Sequence, residues 1–142
     1  MGYKKILVAV ELNSDEDERL VSKAKMMAGL DPQAELYVLN VVEYTDGYSH
    51  IAGVSNDIDK VIMEYAAKSM SELCAKFGIP ADHSIIEVGS AKNIILRRAE
   101  DDGYDLIVVG SHGKNGFRFL LGSTADRVLN AAPCDILSVR VE

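Results

Sequence analysis

A chain of 142 residues with a net charge of −7, 48% hydrophobic and 26% charged residues, has the composition of one soluble globular domain, residues 1–142, with a single core. The acidic balance excludes a general nucleic-acid binder and a protein that docks on anionic membranes, since both need a basic face. No apolar run reaches membrane-spanning length, and Glu11 cuts the N-terminal run, Ile6 to Val10, before it makes a signal-peptide core; the expected location is cytoplasmic, without membrane insertion.

Lys5 to Val10 reads Lys-Ile-Leu-Val-Ala-Val, a continuous apolar run that suits a strand buried on both faces of a parallel sheet. After Asn13-Ser14, the acids Asp15, Glu16, Asp17 and Glu18 favour a helix N-terminus. Leu20, Val21, Ala24, Met27 and Ala28 then recur at helical spacing until Gly29 and Asp31-Pro32 stop the helix. Glu35 to Val42 is the second predicted strand, and Glu43 to Asn56, with glycines, hydroxyls and no periodicity, a long loop. Ile58, Val61, Ile62, Tyr65, Ala66, Leu73 and Phe77 mark one face of a second helix, which Gly78 and Pro80 close. A third strand, Ser84 to Val88, is followed by Gly89-Ser90 as turn and cap for a helix carrying Ile94, Ile95 and Ala99, ended by Asp101-Asp102-Gly103.

Leu106 to Val109 is again continuously apolar, and Gly110 ends it. A glycine-rich loop leads to a fourth helix with Ala125, Val128, Leu129 and Ala132, then Pro133 and a last strand from Ile136 to Val141. Strands alternating with helices in this way predict an α/β fold, a doubly wound, five-stranded, mostly parallel sheet with helices on both faces.

The glycine loop has the makings of an anion site. It carries His112, Lys114 and Arg118 and no acidic residue. Gly110, Gly113 and Gly116 can take positive φ without a Cβ clash, so their N–H groups can converge on a phosphate. Ser123 or Thr124 would cap the fourth helix, whose first N–H groups and positive dipole end attract the same anion. The residues alone leave a plainer alternative open, because a strand, a glycine turn and a serine-capped helix occur in most α/β folds. The G-x-x-x-x-G-K-[ST] phosphate loop is absent.

Gly110-Ser111-His112-Gly113, followed by Leu120-Leu121-Gly122-Ser123 and a helix, resembles the universal stress proteins. Members that bind ATP carry Gly-x-x-Gly, nine residues, then Gly-Ser or Gly-Thr; here eight residues, Lys114 to Leu121, fill the interval. The resemblance extends over nearly the whole chain and implies the strand order 3-2-1-4-5. Strands one and four would then be neighbours where the winding reverses, the place where open α/β sheets bind ligands at the carboxyl ends of their strands. It further implies an ATP-binding stress-response module that acts as a homodimeric regulator.

The site residues follow from the same resemblance. Val8-Ala9-Val10-Glu11 stands where ATP-binding members have Val-Ala-x-Asp, so Glu11 would accept a ribose hydroxyl or help hold magnesium, with Val10 beside it. The base would lie toward Val41 and Val42, and Gly89 close to the phosphates or their loop. Gly110, Ser111, His112, Gly113, Gly122, Ser123 and Thr124 would cradle the phosphates, with Lys114 and Arg118 neutralising them. From the residues alone, Val41 and Val42 are core valines, Gly89 is equally a turn glycine and Lys114 and Arg118 equally solvated charges, and a strand-end acid is the alternative for Glu11. The shorter loop implies that AMP or ADP binds as well as ATP.

Two other functions compete. A slow ATP hydrolase or self-phosphorylating protein would use His112, Ser123 or Thr124, but the loop has no carboxylate or glutamine to orient water, and His112 is its sole candidate base. A dimeric interaction protein without nucleotide is the other. Dimerisation through Ile136 to Val141 is expected because Leu137, Val139 and Val141 alternate with Ser138 and Arg140 at a sheet edge, as in the family. Cys74 and Cys134 have no C-x-x-C partner, and His50, His83 and His112 have no metal-ligand spacing, so reduced thiols and no protein-bound metal are expected.

Overall fold

The computed structural model describes residues 2–12, 14–43, 54–111 and 132–140. They form β1 (Lys5–Val10), α1 (Ser14–Ala28), β2 (Glu35–Val42), α2 (Val54–Phe77), β3 (Ser84–Val88), α3 (Ala91–Asp102), β4 (Leu106–Ser111) and β5 (Asp135–Arg140), with a short 3-10 turn, Ala81–His83, before β3. The five strands make one sheet in the order β3-β2-β1-β4-β5, and every neighbouring pair is parallel.

Strand alternation splits the core in two. Ile6, Val8 and Val10 of β1 join Val38, Leu106 and Val108 under Leu20, Val21 and Ala24 of α1 and Ala66, Met70 and Leu73 of α2. Leu7 and Ala9 point the other way, with Leu39, Val41, Ile107 and Val109, and pack on Ile94, Ile95 and Ala99 of α3. β1 from Ile6 to Val10 and β4 from Leu106 to Val109 are therefore continuously apolar because both of their faces are covered, while β2, which starts at exposed Glu35, tolerates more polarity.

Several boundaries differ from the sequence expectation. Val54–Asn56, assigned to a loop, open α2; Ser55, Asn56 and Asp57 are cap and turn formers, so the apolar stripe becomes visible only from Ile58. The rest of that expected loop, residues 44–53, lies outside the described residues. Gly110 does not end β4: pairing with β5 continues through Gly110↔Val139 and Ser111↔Arg140. A neighbouring strand supplies the ladder that glycine alone disfavours. β5 begins one residue early, at Asp135, and Ala132 is not helical. The remainder of the expected fourth helix lies outside the described residues, as does Val141.

The amino ends of the strands are tied together. Asp105 accepts the N–H groups of Lys4 at 2.8 Å and Lys5 at 3.0 Å, and its own N–H donates to the Lys5 carbonyl at 2.9 Å. Lys5 Nζ donates to the Asp102 carbonyl at 2.6 Å, capping α3, and lies over the rings of Tyr37 and Tyr104. Burial pushes the Tyr104 phenol up to about 12.

Candidate functional site

At the opposite end the central strands separate. The β1–β4 ladder runs Ile6↔Leu106, Leu7↔Ile107 and Val8↔Val108 and stops there, although β1 continues to Val10 and β4 to Ser111. Outside this gap pairing persists: Val10 matches Asn40 in β2, and Ser111 matches Arg140 in β5. β1 and β4 thus part where the winding of the sheet reverses, the place where open α/β sheets form a ligand crevice.

Its two lips carry residues that the sequence nominates. Val10 is fully buried at the end of β1, and half-buried Glu11 follows it. Gly110 and Ser111 form the end of β4 across the gap. Val41 and Val42 end β2 one strand away, each 9% exposed, Val41 in the α3-side core and Val42 in the α1-side core. They are core valines with a small exposed fraction at the strand ends.

Gly89 follows β3 with φ +147, and a Cβ there would come within 3.1 Å of Ile94 Cδ1. Its φ favours glycine at that turn, and any side chain there would also need the end of Ile94 to shift by a few tenths of an ångström. Its N–H donates to the Val42 carbonyl at 3.0 Å, which joins the ends of β2 and β3. Ser90 occupies the cap position of α3 but makes no side-chain cap bond. The cap comes instead from Glu43, whose Oε1 accepts the Ala91 N–H at 2.8 Å. A carboxylate suits that positive helix end better than a hydroxyl, and it comes from 48 residues away, a separation no local pattern reveals. His112, Gly113, Lys114, Arg118, Gly122, Ser123 and Thr124 lie outside the described residues.

Two further side chains fix the backbone at the end of β1. Asn40, 5% exposed, donates from Nδ2 to the Val10 carbonyl at 2.9 Å, satisfying the last carbonyl of β1. Asp17, 3% exposed, accepts the Glu11 N–H on Oδ1 at 3.1 Å. A lone asparagine in an apolar strand was the available signal for the first; Asp17 is indistinguishable in sequence from its acidic neighbours. A cleft of about 430 Å³ lies between α1 and α2, lined by Leu12 and Asp17 together with Tyr65, Lys68, Glu72 and Lys76. Its charges are mixed, and Lys76 pairs with Glu18 at 2.7 Å. Among the described residues no cluster of His, Cys, Asp or Glu could hold a metal ion.

A parallel sheet of this order, covered on both sides and parted at its switch point, defines the class of doubly wound α/β proteins. The model of the universal stress protein family matches residues 2–140, and the chain belongs to that family. Universal stress protein A homolog 2 of Coxiella burnetii is 44% identical over 143 residues, covering 99% of this chain and 97% of its own. The universal stress protein UspA from Lactobacillus plantarum superposes with a TM-score of 0.72 at 28% identity over 99% of both chains. A universal stress protein solved in complex with cAMP superposes with a TM-score of 0.61 at 22% identity over 100% of both chains, a likeness of fold alone.

Proposed function

We propose that residues 1–142 act as one adenine-nucleotide-binding module of the universal stress protein family, a homodimeric regulator that reads its nucleotide instead of consuming it. The observation that carries this reading is the early end of the β1–β4 ladder at Val8↔Val108, with Glu11 on one lip and Gly110 on the other. In support, the Gly110-Ser-His-Gly113 pattern begins within the last two residues of β4, with Gly122-Ser123 beyond it in the sequence. The ligand would place its phosphates on that pattern, its ribose toward Glu11 and its base toward Val41 and Val42. Magnesium, if it accompanies the phosphates, would be held through them, with the Glu11 carboxylate as the ligand that the resemblance nominates.

The dimer would form through the outer edge of β5, which among the described residues pairs with β4 alone. The reading places the protein in the cytoplasm, where Cys74 and Cys134, unbridged here, stay reduced. Among the described residues no helix is long and apolar enough to cross a membrane.

Native mass spectrometry of the purified chain tests the reading. AMP, ADP or ATP is expected on the protein, either retained from the cell or taken up on incubation. A chain that stays empty after both supports the dimeric interaction protein instead.

A further inference from the structure

We propose that Asp17 is a positioning residue: its buried carboxylate, with the left-handed turn at Leu12, aims Glu11 at the ribose of a nucleotide held in the switch-point crevice. This rests on the nucleotide reading above. Leu12 has φ 63, and among the described residues no other non-glycine residue has a positive φ. A γ-branched side chain does not adopt that conformation without something to hold it there. Two things do. The Leu12 side chain is 8% exposed and packs in the α1-side core with Leu20 and Val21. Immediately before it, the Glu11 N–H is fixed by Asp17 at 3.1 Å.

The geometry differs from ordinary helix capping. An acid in a first turn serves the N–H groups of its own helix or, in a capping box, that of the residue just before it. Asp17 is the fourth residue of α1 and reaches back to Glu11, three positions ahead of the first helical residue, Ser14. The bond therefore fixes the link between β1 and α1, where Glu11 sits, and not the helix end. β1 alternates, with Ala9 in the α3-side core and Val10 in the α1-side core. One more step of that alternation puts Glu11 on the side of Ala9 and Val41, and burial of Leu12 on the opposite side holds it there. Freed from Asp17, the link can relax from its left-handed turn, and Glu11 loses its direction while the sheet beneath stays paired.

The test is discrimination between ATP and its 2′-deoxy and 3′-deoxy analogues, read by titration calorimetry on wild type, Glu11→Ala, Asp17→Ala, the double variant and Asp17→Asn. Wild type should prefer ATP over one analogue by at least about tenfold, the value of a hydrogen bond to a charged group. Glu11→Ala and Asp17→Ala should each abolish that preference. The double variant should lose no more than either single one, because both remove one contact. Asp17→Asn should keep the preference, since its amide oxygen still accepts the Glu11 N–H. If Asp17→Ala does not fold, Asp17→Ser, whose hydroxyl is too short to reach, replaces it with the same expected loss. An Asp17 variant that discriminates like wild type while Glu11→Ala does not overturns this inference and leaves the nucleotide reading standing. A wild type that binds no nucleotide overturns both.

Discussion

Val139→Lys is expected to destabilise the folded chain by roughly 3–5 kcal/mol, the range for an uncompensated buried charge, and not merely to separate two copies. Val139 is 7% exposed, lies in the α1-side core and pairs with Gly110 of β4. Lysine there must bury its ammonium, give up its proton, or push β5 away from the sheet. The apolar alternation of Leu137 and Val139 looks in sequence like a stripe offered to a partner, but both side chains pack inward. What the edge offers a second copy is backbone, beside exposed Ser138 and Arg140. Urea unfolding of the variant should show the loss, and light scattering of wild type should give twice the 15.5 kDa chain mass. A variant as stable as wild type contradicts the burial of Val139, and a monomeric wild type contradicts edge pairing.

The second large effect is expected at the opposite end of the same strands. Asp105→Ala should cost about 2–4 kcal/mol, because it removes two charge-assisted bonds, to the Lys4 and Lys5 N–H groups, and leaves the second donor partly buried. These bonds clamp the starts of β1 and β4, the two strands that part at their carboxyl ends. Asp105→Asn keeps an acceptor oxygen for one donor and should fall between wild type and alanine. Midpoints of chemical denaturation at constant slope report the order; equal stability of all three would mean that the clamp contributes nothing.

The clamp and the crevice show where sequence reasoning succeeds and where it stops. Strands buried on both faces announce themselves: β1, β2 and β3 have the boundaries expected from their apolar runs, and strand order 3-2-1-4-5 is as the family resemblance implied. The switch point between β1 and β4 followed from that implied order, which sets the ends at Glu11 and Gly110 side by side. Residues that act across long separations were not. Glu43 caps a helix that begins 48 residues later, and Asp105 binds N–H groups about a hundred residues before it, so neither leaves a local trace. Gly110 shows the reverse error, a residue that punctuates by its own preference but is carried into β4 by its partner Val139. Asp17 was legible only as one acid among four at a helix start, because its burial and its reach to Glu11 are properties of the folded turn.

The parted ends of β1 and β4 are where we propose that an adenine nucleotide binds. Titration calorimetry of the wild-type chain with ATP, ADP and AMP tests it most directly. A few charge-assisted hydrogen bonds with burial of the base should give affinities of roughly micromolar. The eight-residue interval from Lys114 to Leu121 should make AMP or ADP bind as well as ATP, since contacts to the terminal phosphate are the ones a shorter loop loses. No heat with any of the three at millimolar concentration would contradict the account and leave a family member that works without a nucleotide.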